Sequence, residues 1–147
     1  MLARIAAFVE PKRGESGSAQ KLTAAENKQP LILPEHLIAL SIQTSVNHLR
    51  PAAVFVSSVT GSTARRLAAM HLPVPIIAVS GIQQTCQALQ FSYGVMPVHV
   101  KTTPSSWSTW VSQWAKKSGL AGSFAILTEK VLTPDGCGNH RLEIINL

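Results

Sequence analysis

From Pro34 onward the apolar positions recur in two rhythms. Spacings of three and four mark helices, and short β-branched runs mark buried strands. Leu37, Ile38, Ile42, Val46 and Leu49 form the first helical stripe. Pro34 suits an early helical position, Glu35 suits the first turn, and Pro51 ends the segment. Strand and helix patterns then alternate. Ala52 to Ser57 predicts a strand, and Gly61 to Met70 a helix. After the Pro73–Pro75 break, Ile76 to Val79 predicts a strand. Gln83 to Phe91 predicts a helix, ended near Gly94. Val95 to Val100 is the third strand. Ser105 to Lys117 is a helix with Lys116 and Lys117 in its last turn and Gly119 beyond it. Phe124 to Thr128 is the fourth strand. A loop over Leu132 to His140 contains the turn signal Pro134-Asp135-Gly136. Arg141 to Ile145 alternates polar and apolar residues, as a strand with one exposed face does.

The run of βαβα units predicts a parallel sheet covered on both faces. The last strand follows without a helix, so it is expected to pair antiparallel at an edge. Upstream, residues 2–9 read as a short helix and residues 11–29 as a polar linker rich in Gly and Ser. The expected organisation is a helix plus linker over 1–29 and an α/β domain over 30–147.

Composition agrees with such a domain. Of the 147 residues, 46% are hydrophobic and only 14% charged, as expected where strands are buried on both faces. No apolar run approaches the ~20 residues a bilayer span needs. The apolar start, Leu2 to Val9, is too short for a secretory signal. The expectation is a cytoplasmic protein with no membrane partner. The net charge is +6. The bases are scattered apart from Arg65-Arg66 and Lys116-Lys117. No basic stripe interleaves with aromatics, so small phosphorylated anions fit better than nucleic acid.

Chemistry concentrates in Val54-Phe55-Val56-Ser57-Ser58-Val59-Thr60-Gly61-Ser62-Thr63. A β-branched run meets a hydroxyl- and glycine-rich turn, and a helical pattern starts at once. A helix N-terminus leaves backbone N–H groups unpaired and carries partial positive charge. Hydroxyls add donors, and glycine permits close approach. Ser58, Thr60, Gly61, Ser62 and Thr63 are therefore candidates to hold a phosphate, carboxylate or sulfate. The competing reading is that Thr60 or Ser62 only caps the helix. Neither GxxxxGK[ST] nor GxGxxG occurs, and no lysine is placed to reach a β/γ-phosphate, so NTP hydrolysis is not expected.

The loop from Thr128 to Arg141 is a second candidate. Its glycines allow a backbone nest, and Lys130, His140 and Arg141 bring positive charge. The alternative is a plain hairpin loop. Trp107, Trp110 and Trp114 share one helical face. Such a face is core or subunit interface, with Trp107 best placed to line a ligand pocket. Cys86 and Cys137 are two free thiols without metal spacing, and the five histidines form no ligand motif. The four acids beyond residue 29 form no metal-binding or paired catalytic set.

These residues carry a resemblance. From Pro34 to the C-terminus the chain resembles the C-terminal domain of pyruvate kinases. The matching stretches are Ala39-Leu40-Ser41-Ile42-Gln43-Thr44-Ser45-Val46, the turn and helix Val59 to Ala68, and Pro75-Ile76-Ile77-Ala78-Val79-Ser80. Thr85, Leu89 and Tyr93-Gly94-Val95-Met96-Pro97-Val98 follow. Met1-Leu2-Ala3-Arg4-Ile5-Ala6 resembles the helix that follows the catalytic barrel in that family. The resemblance implies a three-layer α/β/α domain with a mixed five-stranded sheet and an antiparallel last strand. It also implies function by absence. The barrel performs phosphoryl transfer between phosphoenolpyruvate and ADP in glycolysis, with Mg²⁺ and K⁺, and no barrel is here. The C-terminal domain carries the site for a phosphorylated effector and builds subunit contacts. The positions matching Ser58, Thr60, Gly61, Ser62 and Thr63 hold a phosphate. The loop matching Pro134 to Asn139, with Gly136, Gly138 and Asn139, closes over the effector. Trp107 matches a tryptophan that some members use. No arginine lies between Trp107 and Phe124, so a second phosphate contact lacks its usual base.

The leading expectation is a regulatory domain of pyruvate kinase type. It would bind a phosphorylated effector or phosphate, form homo-oligomers, and have no catalytic residue, metal or cofactor of its own. An assembly module without a ligand is the second reading. A small enzyme acting on a phosphorylated substrate, with His140 or Cys137 as base, is the third.

Overall fold

A computed structural model describes residues 33–132 and 138–147. The helix expected over 2–9, the linker over 11–29 and the turn Pro134-Asp135-Gly136 lie outside them. The elements are α1 (Pro34–Leu49), β1 (Val54–Ser57), α2 (Ser62–Ala69), β2 (Ile76–Ser80) and α3 (Gln83–Leu89). They continue with β3 (Val95–His99), α4 (Trp107–Lys117), β4 (Phe124–Leu132) and β5 (Gly138–Asn146).

The five strands form one sheet in the order β3-β2-β1-β4-β5. β1 to β4 run parallel, and β5 is antiparallel to β4. The expected mixed sheet is the observed one. The order follows from crossover handedness. β1 to β3 build outward in one direction, so their connecting helices fall on one face. The chain then returns across the sheet to β4, which puts α4 on the opposite face.

Strand alternation feeds two cores. Val54, Val56, Ile76, Ala78 and Ile126 meet Ala39, Ile42 and Val46 of α1, Ala64 and Leu67 of α2, and Leu89 of α3. On the other face Phe55, Ile77, Val79, Ala125 and Leu127 meet Val111 of α4 and the three tryptophans. Among the described residues the result is three layers, with three helices over one face and one over the other.

Several boundaries differ from expectation. α1 buries Ala39, Ile42 and Val46, while Leu37 and Leu49 are exposed, so the apolar stripe is narrower than the sequence suggests. Arg50 turns left-handed at φ 47 before Pro51. α3 stops at Leu89, and Phe91 stands 93% exposed in the turn beyond it. The largest change is at the end. β4 continues to Leu132, and β5 begins at Gly138. Of the expected loop over 132–140, Leu132 and residues 138–140 are therefore paired strand. Two strands in an antiparallel ladder satisfy each other's backbone polar groups, which extends the pairing past the first polar residues. Among the described residues, no helix is long and apolar enough to cross a membrane.

Candidate anion-binding site

In an open α/β sheet the crevice lies where strand order reverses, beyond the C-terminal strand ends. Here β1 leads to β2 on one side and is flanked by β4 on the other. The reversal point is thus the C-terminal end of β1, where the chain enters the turn Ser58 to Gly61. A cleft of about 200 Å³ opens there, lined by Ser57, Ser58, Val59, Thr60, Ser62, Thr63 and Lys130.

The turn is braced on several sides. The Ser58 N–H donates to the Val79 carbonyl at 3.1 Å. Ser58 Oγ accepts the Gly61 N–H at 2.9 Å. Thr85 Oγ1 of α3 donates to the Val59 carbonyl at 2.8 Å, and Arg65 Nη2 donates to the Thr60 carbonyl at 2.8 Å. Gly61 is the residue before α2 and has φ 77, a left-handed conformation that glycine adopts without the usual side-chain cost.

No side chain caps α2 at Gly61. The first helical bond runs from the Arg65 N–H to the Gly61 carbonyl at 3.0 Å. The N–H groups of Thr63 and Ala64 therefore precede any intrahelical partner. Thr60 Oγ1 accepts the N–H of Ser62, the first residue of α2, at 3.4 Å, as the capping reading expects of Thr60, and it bonds Ser62 Oγ at 3.3 Å. These are local contacts within the turn, on exposed groups. The hydroxyls, the helix N-terminus and the Lys130 side chain border the same cleft, a set of groups suited to a tetrahedral oxyanion.

The period-two alternation of β4 decides which charge enters. Lys130 points to the α1–α2 face and lines the cleft. Its neighbour Glu129 is largely buried and ion-pairs with Arg141 at 3.4 Å. Arg141 also binds Glu143 at 2.9 Å, so its charge is spent away from the cleft. The sequence groups Lys130 with a loop, whereas it is a strand residue. The usable signal is the polar–apolar alternation continuing through Thr128-Glu129-Lys130-Val131.

The remaining candidates are dispersed. Trp107 is half-buried at the start of α4, 5.9 Å from Trp110 centroid to centroid, and packs with the α4-side core. It does not line the cleft. Gly138 and Asn139 lie in β5, opposite Leu132 and Val131. The ladder takes both of them up. His140 faces a second hollow with Glu35 and Lys130. Gly136 and Cys137 fall outside the described residues. Glu35, at the start of α1, escaped the sequence reading as a site residue. Its carboxylate meets Lys130 Nζ at 3.1 Å and Arg66 Nη2 at 3.3 Å. The hydrogen bond from Lys130 holds the Glu35 carboxyl below the usual carboxylate range, with Arg66 and His140 adding positive charge against the cost of burial. Among the described residues, no group of three or more His, Cys, Asp or Glu side chains is arranged to hold a metal ion.

Fold and cleft together define a doubly covered, mixed α/β domain with a hydroxyl-rich turn at its switch point. The family model described as "Pyruvate kinase, alpha/beta domain" matches residues 36–135, and the chain belongs to that family. A pyruvate kinase of Trypanoplasma borreli is 32% identical over 71 residues, which is 48% of this chain and 14% of that protein. The fold is also that of a Cryptosporidium parvum pyruvate kinase solved in complex with ADP. That match has a TM-score of 0.69 at 23% identity and covers 88% of this chain and 27% of the other. The chain thus spans well under a third of either relative.

Proposed function

We propose that this domain binds the phosphate group of a small phosphorylated effector, or phosphate itself, in the cleft of Ser57 to Thr63. It acts as the regulatory part of a pyruvate kinase. The observation that supports this most is the gathering of Thr60, Ser62, Thr63 and Lys130 around one cleft at the start of α2. A phosphate monoester offers nearly two negative charges and three acceptor oxygens to such a set. The whole enzyme would transfer a phosphoryl group between phosphoenolpyruvate and ADP in glycolysis, in the cytoplasm, with chemistry supplied by a domain outside this chain. The domain would also build homo-oligomer contacts. The exposed Leu37 of α1 and Ile144 of β5 are apolar surface available for them.

The test is thermal melting of the chain against sugar phosphates, AMP and inorganic phosphate. Selective binding to the folded state stabilises it by about 2.7 kcal/mol at a hundredfold excess over Kd. A saturable rise in Tm is expected for at least one of these anions. Thr63→Glu puts a carboxylate in the cleft and is expected to abolish it by like-charge repulsion. Undiminished affinity in that variant would overturn the assignment.

A further inference from the structure

Lys130 borders two hollows. The first is the cleft at the start of α2. The second, of about 300 Å³, is bordered by Leu33, Pro34, Glu35, Gly138 and His140. The ammonium is held on the second side, by Glu35 Oε1 at 3.1 Å. The other carboxylate oxygen, Oε2, is held by Arg66 Nη2 at 3.3 Å. Building on the phosphate reading above, we propose that Lys130 is shared: Glu35 and a phosphate in the cleft compete for its ammonium. Phosphate binding then unties the first turn of α1 from β4.

Three observations carry this. First, the side chain needs little movement. A lysine head is a compact charge on a four-carbon stem, and this stem forms part of the wall of both hollows. Second, Gly138 sets the direction of the stem. A Cβ there would stand 2.9 Å from Lys130 Cγ and 3.1 Å from Cδ, and closer still to Cε. The bare glycine lets the stem lie flat against β5, so the head is the part left to swing. Third, Glu35 is not orphaned by the exchange, because Arg66 remains on its second oxygen. An exposed ion pair such as Lys130–Glu35 is worth at most about a fivefold change in an equilibrium. A phosphate brings nearly twice the charge of a carboxylate, so it outcompetes Glu35 once bound by the turn. By linkage, phosphate loosens the tie between α1 and β4 by the same factor by which that tie weakens phosphate binding.

The experiment is calorimetric titration of the full chain with inorganic phosphate, with a melting curve for each variant to confirm folding. Glu35→Gln frees the ammonium and is expected to tighten binding about two- to fivefold. Lys130→Met is expected to weaken it about tenfold or more, as loss of a charged hydrogen bond does. The decisive variant is the pair Glu35→Gln with Lys130→Met, expected to bind as Lys130→Met alone. A gain from Glu35→Gln that persists without Lys130 would mean that Glu35 acts by long-range repulsion, and sharing would be wrong. Wild-type affinity in Glu35→Gln would overturn it equally. If Thr63→Glu abolishes binding while Lys130→Met and Glu35→Gln change nothing, the phosphate site stands and sharing falls. If neither the wild type nor Glu35→Gln binds phosphate, both readings fall.

Discussion

Gly61 sits against the end of Leu89: a Cβ on Gly61 would stand 3.1 Å from both Leu89 Cδ1 and Cδ2, and 3.1 Å from Arg65 Nη1. Leu89 is fully buried, so it has little room to yield. Gly61 also has φ 77. Gly61→Ala is therefore expected to lose about 1–3 kcal/mol of stability through left-handed strain and crowding, read as a lower urea midpoint. The same change should weaken phosphate binding, because the turn and the start of α2 shift together. A variant as stable as the wild type would show that the turn tolerates a side chain.

The Ser58 hydroxyl accepts the Gly61 N–H across the turn. Ser58→Ala leaves a partly buried donor without its acceptor, at a cost of about 1 kcal/mol. The expected result is a lower urea midpoint with an unchanged slope, since the surface exposed on unfolding stays the same.

Phe55 is fully buried and meets Trp114 edge-on at 5.6 Å and Trp110 at 6.4 Å. Phe55→Ala should cost about 3–5 kcal/mol, enough to threaten folding of a domain this size. Phe55→Leu, which refills most of the volume, should cost less. Tryptophan fluorescence follows both, since the rings that report are the ones that lose their neighbour.

Glu35 gives a pH dependence with a definite sign. Its folded carboxyl is held below the ordinary value by Lys130 first, then by Arg66 and His140. A depressed carboxylate contributes stability that is full above the unfolded pKa of about 4.3. That contribution is lost as pH falls through the lower folded value. The side chain is 36% exposed, so solvent and salt weaken the effect. The Tm gap between wild type and Glu35→Gln should be small and positive at pH 7, shrink below about pH 4, and shrink in molar salt. A gap that widens on acidification would reverse the assignment.

The sheet, its antiparallel edge and the turn at Ser58 to Thr63 were legible because each rests on local grammar. A β-branched run, a glycine and a helical stripe lie within a dozen residues. What escaped depends on register. Lys130 meets Glu35 only because β4 runs on beside α1, and the two are far apart in sequence. Gly138 looked like a loop residue because its use comes from a stem crossing it, not from a turn. Trp107 was expected at a pocket, but α4 docks against Phe55 and turns the whole tryptophan face to the core. Helical periodicity tells which residues share a face and is silent on what that face meets.

The alternation of Glu129 and Lys130 along β4 makes the electrical sign of the cleft a matter of counting. One residue more or fewer before this pair would exchange the two faces of the strand. It would present a carboxylate to the α1–α2 face and turn the ammonium to the opposite one. Such a change would leave the hydroxyl turn intact, yet set a negative charge beside it in place of a positive one. The charge beside the turn is thus written in the phase of a strand, not in the turn itself.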